Sequence, residues 1–239
     1  MPHILLLRLS GPMQSWGVSS RFSRRDTGKE PSKSGVIGLL CAALGISRED
    51  ADVEKNKTFR KLTKLRMGVR VLHEGVLQSD YHTAQKVAKA DGKEKDTELS
   101  TRFYMADADF VVSLESDDSE ILETVQQALK KPKWHLFLGR KAFVPDLPVY
   151  FPDENVIEVS ESLEDFLKSE KLTRIIEKYN ERFGKKRPDT SARNRLVIES
   201  EEGSERRCDV PLSFSERRFI NRRVKTDFLI LKQGGEENE

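Results

Sequence analysis

Few side chains in this 239-residue chain can do chemistry near neutral pH. Four histidines are the candidates for acid/base work, since only imidazole has an ordinary pKa in that range. His3 and His135 stand among apolar, strand-like neighbours and read as structural, and His73 closes a strand. His82 follows Tyr81, and Tyr81-His82-Thr83 is a motif that general acid/base cleavage of RNA could use. No paired carboxylates at metal-ligand spacing accompany it. Cys41 and Cys208 are too few for a disulfide framework and form no metal motif, and Cys41 lies in an apolar run as a small buried thiol would.

Anion binding has more to work with. Gly11-Pro12-Met13-Gln14-Ser15-Trp16-Gly17 follows the first apolar strand and ends on an indole that either caps the core or offers a stacking face. Gln14 and Ser15 add neutral donors and acceptors, and Arg21, Arg24, Arg25 and Lys29 add cations suited to phosphate. Lys33-Ser34-Gly35 opens a helix, where free N–H groups and the helix dipole attract anions. A Walker A loop is excluded, because Gly28-Lys29 lacks the upstream glycine and the following Ser or Thr.

Charge is segregated along the chain. Residues 1–70 hold 14 Lys/Arg against 6 Asp/Glu, while residues 111–170 hold 6 against 13. The net charge of +2 hides a basic end that suits a polyanion, which responds to local potential. No run approaches the roughly 20 apolar residues that span a bilayer, and Ile4 to Leu7 meets Arg8 at once. The expectation is a soluble, cytoplasmic protein with no membrane partner and no cofactor.

The elements that must position these residues follow from periodicity and punctuation. His3 to Leu9 reads as a buried central strand, and a polar loop runs on to about Pro31. A helix starts after Ser32 and stops at Gly45, with Gly35 and Gly38 marking a close approach by backbone or ligand. A second helix fills Arg48 to Lys64. Met67 to Leu72 is a strand, with Val76 to Gln78 beginning its hairpin partner. Residues 84–100 lack apolar periodicity and read as a projecting arm. Asp107 to Glu115 is a strand, Ser119 to Lys130 a helix, and Trp134 to Leu138 a final short strand. The order β-α-β-β-α-β predicts an α+β, ferredoxin-like (RRM-like) domain over 1–145. A smaller α/β appendage follows over 146–239, with a helix from Ser162 to Phe183 and strands at Leu196 to Glu199, Cys208 to Leu212 and Phe228 to Leu231. Gly234 to Glu239 is a tail.

Several stretches together resemble one family. They are Leu5-Leu-Leu-Arg-Leu-Ser-Gly-Pro-Met-Gln-Ser-Trp-Gly17, Pro31-Ser-Lys-Ser-Gly-Val-Ile-Gly-Leu-Leu40 running to Ile46, and Asp80-Tyr-His-Thr83. Arg102-Phe-Tyr-Met-Ala-Asp-Ala-Asp-Phe110 and Leu138-Gly-Arg-Lys141 continue the series. In order and spacing to about residue 145 they are similar to the CasD family, the RAMP-type small subunit of type I-E Cascade. Beyond that the likeness is looser, and a glycine-rich loop common near the C-terminus of RAMP proteins is missing.

The resemblance implies a non-catalytic CRISPR subunit that caps the 5′ handle of the crRNA. It also implies a thumb at about residues 82–103 and contacts with the Cascade backbone and large subunits, with target DNA met only through the complex. The RNA-binding set expected is Gln14, Ser15, Trp16, Arg24, Arg25, Lys33, Ser34, His82, Arg102 and Arg140. The alternative is a metal-independent endoribonuclease processing precursor crRNA through Tyr81 and His82, as the corresponding subunit does in a related subtype. A free RRM-type RNA chaperone would carry the RNP1 signature, which no segment matches.

Overall fold

The structure is a computed structural model that describes residues 1–17, 19, 23–88, 92, 94–185 and 194–229. Arg21, the tip of the arm and the tail from residue 230 lie outside the described residues. In chain order the elements are β1 (His3–Ser10), β2 (Met13–Gln14), β3 (Arg24–Arg25), α1 (Lys33–Leu44), α2 (Lys57–Lys64), β4 (Arg66–His73), β5 (Val76–Ala88) and β6 (Glu94–Ala106). They continue with β7 (Asp109–Ser116), α3 (Ser119–Lys130), β8 (Ile157–Glu158), α4 (Leu163–Lys168), α5 (Glu170–Arg182), β9 (Asn194–Glu199), β10 (Glu205–Ser213) and β11 (Arg218–Leu229).

The architecture is mixed α+β, built on a seven-stranded sheet ordered β10-β11-β9-β4-β7-β1-β8. Both faces of that sheet are covered. Leu5, Leu7 and Leu9 of β1 join a core with α1, α2 and α3, while Ile4 and Leu6 join another with α4 and α5. A strand buried on both faces reads as a continuous apolar run rather than an alternating one, which is the pattern of His3 to Leu9. Strands β9 to β11, from the last third of the chain, extend the same sheet beyond β4. Among the described residues no helix is long and apolar enough to cross a membrane.

α1 begins and ends where its punctuation requires. The Ser32 hydroxyl accepts from Gly35 N–H at 3.2 Å, and Gly45 closes the helix in the left-handed conformation.

Elsewhere the chain departs from the periodicity. The helix expected from Arg48 starts only at Lys57, because Asn56 caps it and the Asp52 carboxylate holds the preceding turn through Glu54 N–H at 2.9 Å. The helix expected over Ser162 to Phe183 breaks at Ser169, which ends α4 and caps α5 from an extended conformation. Trp134 to Leu138 forms no strand. Lys133 and Trp134 instead donate their backbone N–H groups to the Ala43 and Ala42 carbonyls at the end of α1, and β8 takes the place beside β1.

Val76 to Gln78 does begin a hairpin, but its partner is β6 and not β4. The chain leaves the main sheet at Gly75, with φ at +71° and no room for a side chain against the Ala106 carbonyl. β5 and β6 then run antiparallel from Val76↔Ala106 to Ala88↔Glu94, with β2 and β3 attached at the base. The arm without apolar periodicity is the outer half of this hairpin, whose backbone is satisfied by cross-strand bonds while β5 stays largely exposed.

Candidate functional site

Three of the residues expected at an RNA site are committed to the fold. Gln14 is wholly buried, and its amide donates to the Leu9 carbonyl at 3.1 Å and the Ala108 carbonyl at 2.7 Å. Its oxygen accepts from Trp16 Nε1 at 3.1 Å. No donor or acceptor of this side chain points to solvent. The Trp16 ring is 1% exposed, and a Cβ on Gly35 would come within 2.8 Å of it. The close approach at Gly35 is therefore that of the indole and not of a ligand, and Trp16 takes the core alternative.

Lys33 is corrected in the same way. Its ammonium pairs with Glu199 at 2.8 and 3.0 Å, and its backbone N–H donates to Asp209 at 2.8 Å. Arg222 holds Asp209 in turn through two bonds of 2.7 and 2.9 Å. Carboxylates from β9 and β10 thus fill the anion site at the start of α1. Burial pulls the Lys33 pKa down, against the opposing pull of Glu199. Ser34 is half-buried beside the Ser32 hydroxyl, 3.4 Å away.

The remaining cations converge. β3 pairs with β6 so that Arg25 lies opposite Arg102, and β5 places Asp80 opposite Arg102 on the other side. Directly opposed residues share a face of a sheet, so these three form one cross-strand row. Arg140 arrives from the loop after α3, anchored by bonds from Nη2 to the Phe103 carbonyl at 2.8 Å and the Arg25 carbonyl at 3.3 Å. Ser15, Asp26, Gly139 and the three arginines line a cleft of about 290 Å³. Gly139 is obligatory there, with φ at +89° and a hypothetical Cβ 1.7 Å from the Ser15 carbonyl oxygen.

The electrostatics of the cleft favour an anion. Burial holds the Arg140 pKa below the ordinary guanidinium value, and Arg102 and Arg25 push in the same direction against Asp80. The second carboxylate, Asp26, pairs with Arg24 at 3.0 Å, and Arg24 also lies over the Phe103 ring at 4.7 Å. Planar guanidinium forks at close quarters match the oxygens of a phosphate better than any neutral ligand. Sequence reasoning found the three arginines but missed Asp80, Asp26 and Gly139. The last stood next to Arg140 in Leu138-Gly-Arg-Lys141.

Tyr81 and His82 do not form a pair. They are successive residues of β5, so their side chains leave opposite faces of the hairpin. Tyr81 is 67% exposed; His82 is half-buried, on the face of Asp80 and Arg102, and its Nδ1 has no partner among the described residues. Among the described residues no three His, Cys, Asp or Glu side chains are grouped to hold a metal ion.

Comparison with known proteins gives the family of the chain. The family model described as CRISPR-associated protein (Cas_Cas5) matches residues 4–225. The CRISPR system Cascade subunit CasD of Escherichia coli (strain K12) is 32% identical over 151 residues, covering 59% of this chain and 67% of that protein. A solved structure described as a Cas protein superposes with a TM-score of 0.68 at 37% identity, covering 95% of both chains. A chain of a CRISPR RNA-guided surveillance complex superposes with a TM-score of 0.69 at 28% identity, covering 98% of this chain and 95% of its own. With its model matched over nearly the whole length, this chain belongs to the Cas5 family of CRISPR-associated proteins.

Proposed function

We propose that this chain is the guide-RNA-holding, non-catalytic subunit of a Cascade-type CRISPR surveillance complex in antiviral defence, and that it caps the 5′ handle of the crRNA. The observation that carries the reading is the convergence of Arg25, Arg102 and Arg140 in one cleft at the base of a long exposed hairpin. The relatives named above are Cascade and surveillance-complex subunits, which supports the same assembly here. The hairpin serves as the thumb at about residues 82–103, set between RNA and a backbone subunit, and the large subunit is the second protein neighbour. Target DNA is met through the complex.

The antiparallel strand order β8-β1-β7-β4, with α1 and α3 packed in one core, supports a ferredoxin-like unit over 1–145 whose fourth strand is supplied from just beyond it. Residues 146–239 then act as the smaller part, covering the second face of the sheet and lengthening it. The endoribonuclease alternative needs an acid and a base on one phosphate, and the opposed faces of Tyr81 and His82 do not supply them.

Binding of a handle oligonucleotide at several salt concentrations tests this. Arg25→Ala, Arg102→Ala and Arg140→Ala each remove charge-assisted bonds of about 1.5–3 kcal/mol, a loss of roughly ten- to a hundredfold in affinity. Each should also lower the log–log salt slope by about 0.7, as for one phosphate of a single strand. Three folded variants that bind like the parent would remove the cleft as the RNA site. Specific cleavage of repeat RNA, abolished by His82→Ala, would establish the enzymatic alternative.

A further inference from the structure

A second hollow, of about 410 Å³, shares Gly139 with the arginine cleft, that glycine lining both. Its floor is the outer face of α1, where Gly38, Leu39 and Ala42 present little but hydrocarbon. Its walls are Trp134, His135 and Phe137 from the segment after α3, with Phe214 from the turn after β10. The two hollows differ in chemistry: three guanidinium groups converge in one, while the other is mostly rings and aliphatic carbon with a single arginine, Arg48.

Trp134 makes the second hollow more than a dent in the core. Its ring is 45% exposed, although full burial of so large an apolar surface would be favourable. The backbone beneath it is fixed all the same, because Lys133 and Trp134 donate to the carbonyls that end α1, at 2.9 and 3.1 Å. The strap is thus anchored by its main chain at the residue that carries the half-exposed indole. A rigid, half-exposed aromatic ring is what stacking on a splayed-out base requires, since little conformational freedom is lost on binding.

We infer that this hollow takes one unstacked nucleobase of the same single-stranded RNA whose phosphate sits in the arginine cleft. The inference rests on the proposed RNA-binding function. Gly139 lines both the charged hollow and the apolar one, and a single nucleotide spanning that glycine would lay its phosphate on Arg102 and Arg140 and its base against Trp134. The lining is mostly apolar, with Arg48 its one arginine, and the ring of His135 and the hydroxyls of Ser34 and Ser47 complete it with groups for the polar rim of a base. Trp134 and Gly139 are positions that no resemblance had marked as RNA contacts.

The chain contains two tryptophans, and Trp16 is buried, so emission sensitive to an added ligand comes from Trp134. The test titrates the full chain with an eight-nucleotide single-stranded RNA carrying the handle sequence. One nucleotide at a time is then replaced by an abasic residue, which keeps every phosphate. The expected result is quenching of the Trp134 emission and one abasic position at which the quenching disappears. At that position affinity should fall roughly five- to a hundredfold, the range for one stacked base. Trp134→Ala should cause a similar loss, leave the salt slope unchanged and add nothing to the effect of that abasic position. Trp134→Phe should keep most of the affinity while losing the signal, which separates stacking from misfolding.

Saturation without quenching, together with a flat abasic series on the unaltered protein, would overturn the base pocket. Arg102→Ala would still weaken binding in that case, and the proposed function would stand. If Arg102→Ala binds like the parent, the RNA reading of the cleft fails and the base pocket fails with it.

Discussion

The start of α1 and the arginine cleft are both cationic sites within the first 33 residues or paired to them, yet one is closed and the other open. At α1 every positive group meets a carboxylate delivered from far along the chain: Lys33 meets Glu199, its backbone N–H meets Asp209, and Arg222 completes the lattice. In the cleft Arg25, Arg102 and Arg140 are brought together by strand register and a glycine turn, and Asp80 is the one carboxylate in their row. A cation at a helix terminus is therefore no guide to a ligand until its surroundings are known. What separates a structural ion pair from a binding site is whether the fold has already supplied the anion.

The closed site should respond in stability and the open one in affinity. The largest expected effect is that of Asp209→Asn. Asp209 is 1% exposed, and neutralising it leaves the buried Arg222 guanidinium with only a 3.5 Å contact to Glu199. Breaking a buried pair from one side costs about 3–5 kcal/mol, which urea unfolding at constant m-value would read as a lower midpoint. Lys33→Met comes next. It replaces a buried ammonium by an apolar chain of similar length and leaves the Glu199 carboxylate with the Met67 N–H at 3.2 Å and Arg222 at 3.5 Å, at a cost of about 1–3 kcal/mol. Its RNA affinity and salt slope should match the parent, in contrast to Arg102→Ala. A reduced slope for folded Lys33→Met would mean that RNA displaces Glu199, and the contrast between the two regions would collapse.

Most of the scaffold was legible in sequence because it rests on local signals. The apolar run of β1, the Ser32 cap with the Gly45 stop, and the helical spacing over Ser119 to Lys130 each declare an element within a few residues. What was not legible depends on partners remote in sequence. Arg48 to Asn56 carries good helix formers, but Asp52 and Asn56 use their side chains on the backbone and delay the helix. Trp134 to Leu138 has the composition of a strand, yet its backbone donors go to the end of α1, which local pattern cannot reveal.

The site divides along the same line. Arg25, Arg102 and Arg140 were identifiable as cations near recognisable motifs, and their convergence needed only the β5–β6 register. For Trp16 the core alternative stood beside stacking in the sequence, whereas the buried partners of Gln14 and Lys33, Ala108 and Glu199, lie 94 and 166 residues away. The ion network that ties the N-terminal loop to the C-terminal strands, Glu30 and Glu74 with Arg195 and Arg207, gave no signal at all before the fold was known.

The comparison also says that burial, more than pairing, gives the α1 lattice its effect, and an exposed counterpart on the same molecule isolates that variable. Lys168 of α4 bridges Glu164 at 2.8 Å and Asp227 of β11 at 2.7 Å, and Lys225 adds a contact to Glu164 at 3.0 Å. The count of charges resembles that around Lys33, but these side chains are about one-third exposed, against 3% for Lys33. Hydrogen bonds from Lys168 hold the carboxyls of Glu164 and Asp227 below their ordinary values, and the same two partners raise the Lys168 pKa. For a depressed carboxylate the stabilisation is present above its unfolded pKa and is lost as pH falls through its lower, folded one. The loss should therefore begin below about pH 4.5, the ordinary value for Glu164, and continue below 3.8, that for Asp227. Solvent screening keeps the whole effect near that of surface pairs, about 0.2–1 kcal/mol. Lys168→Met should lower the urea midpoint slightly at pH 7, and the difference from the parent should shrink as pH falls through the depressed folded values of the two carboxylates. A loss as large as that of Asp209→Asn would show that pairing alone suffices, and burial would no longer explain why the α1 site is locked.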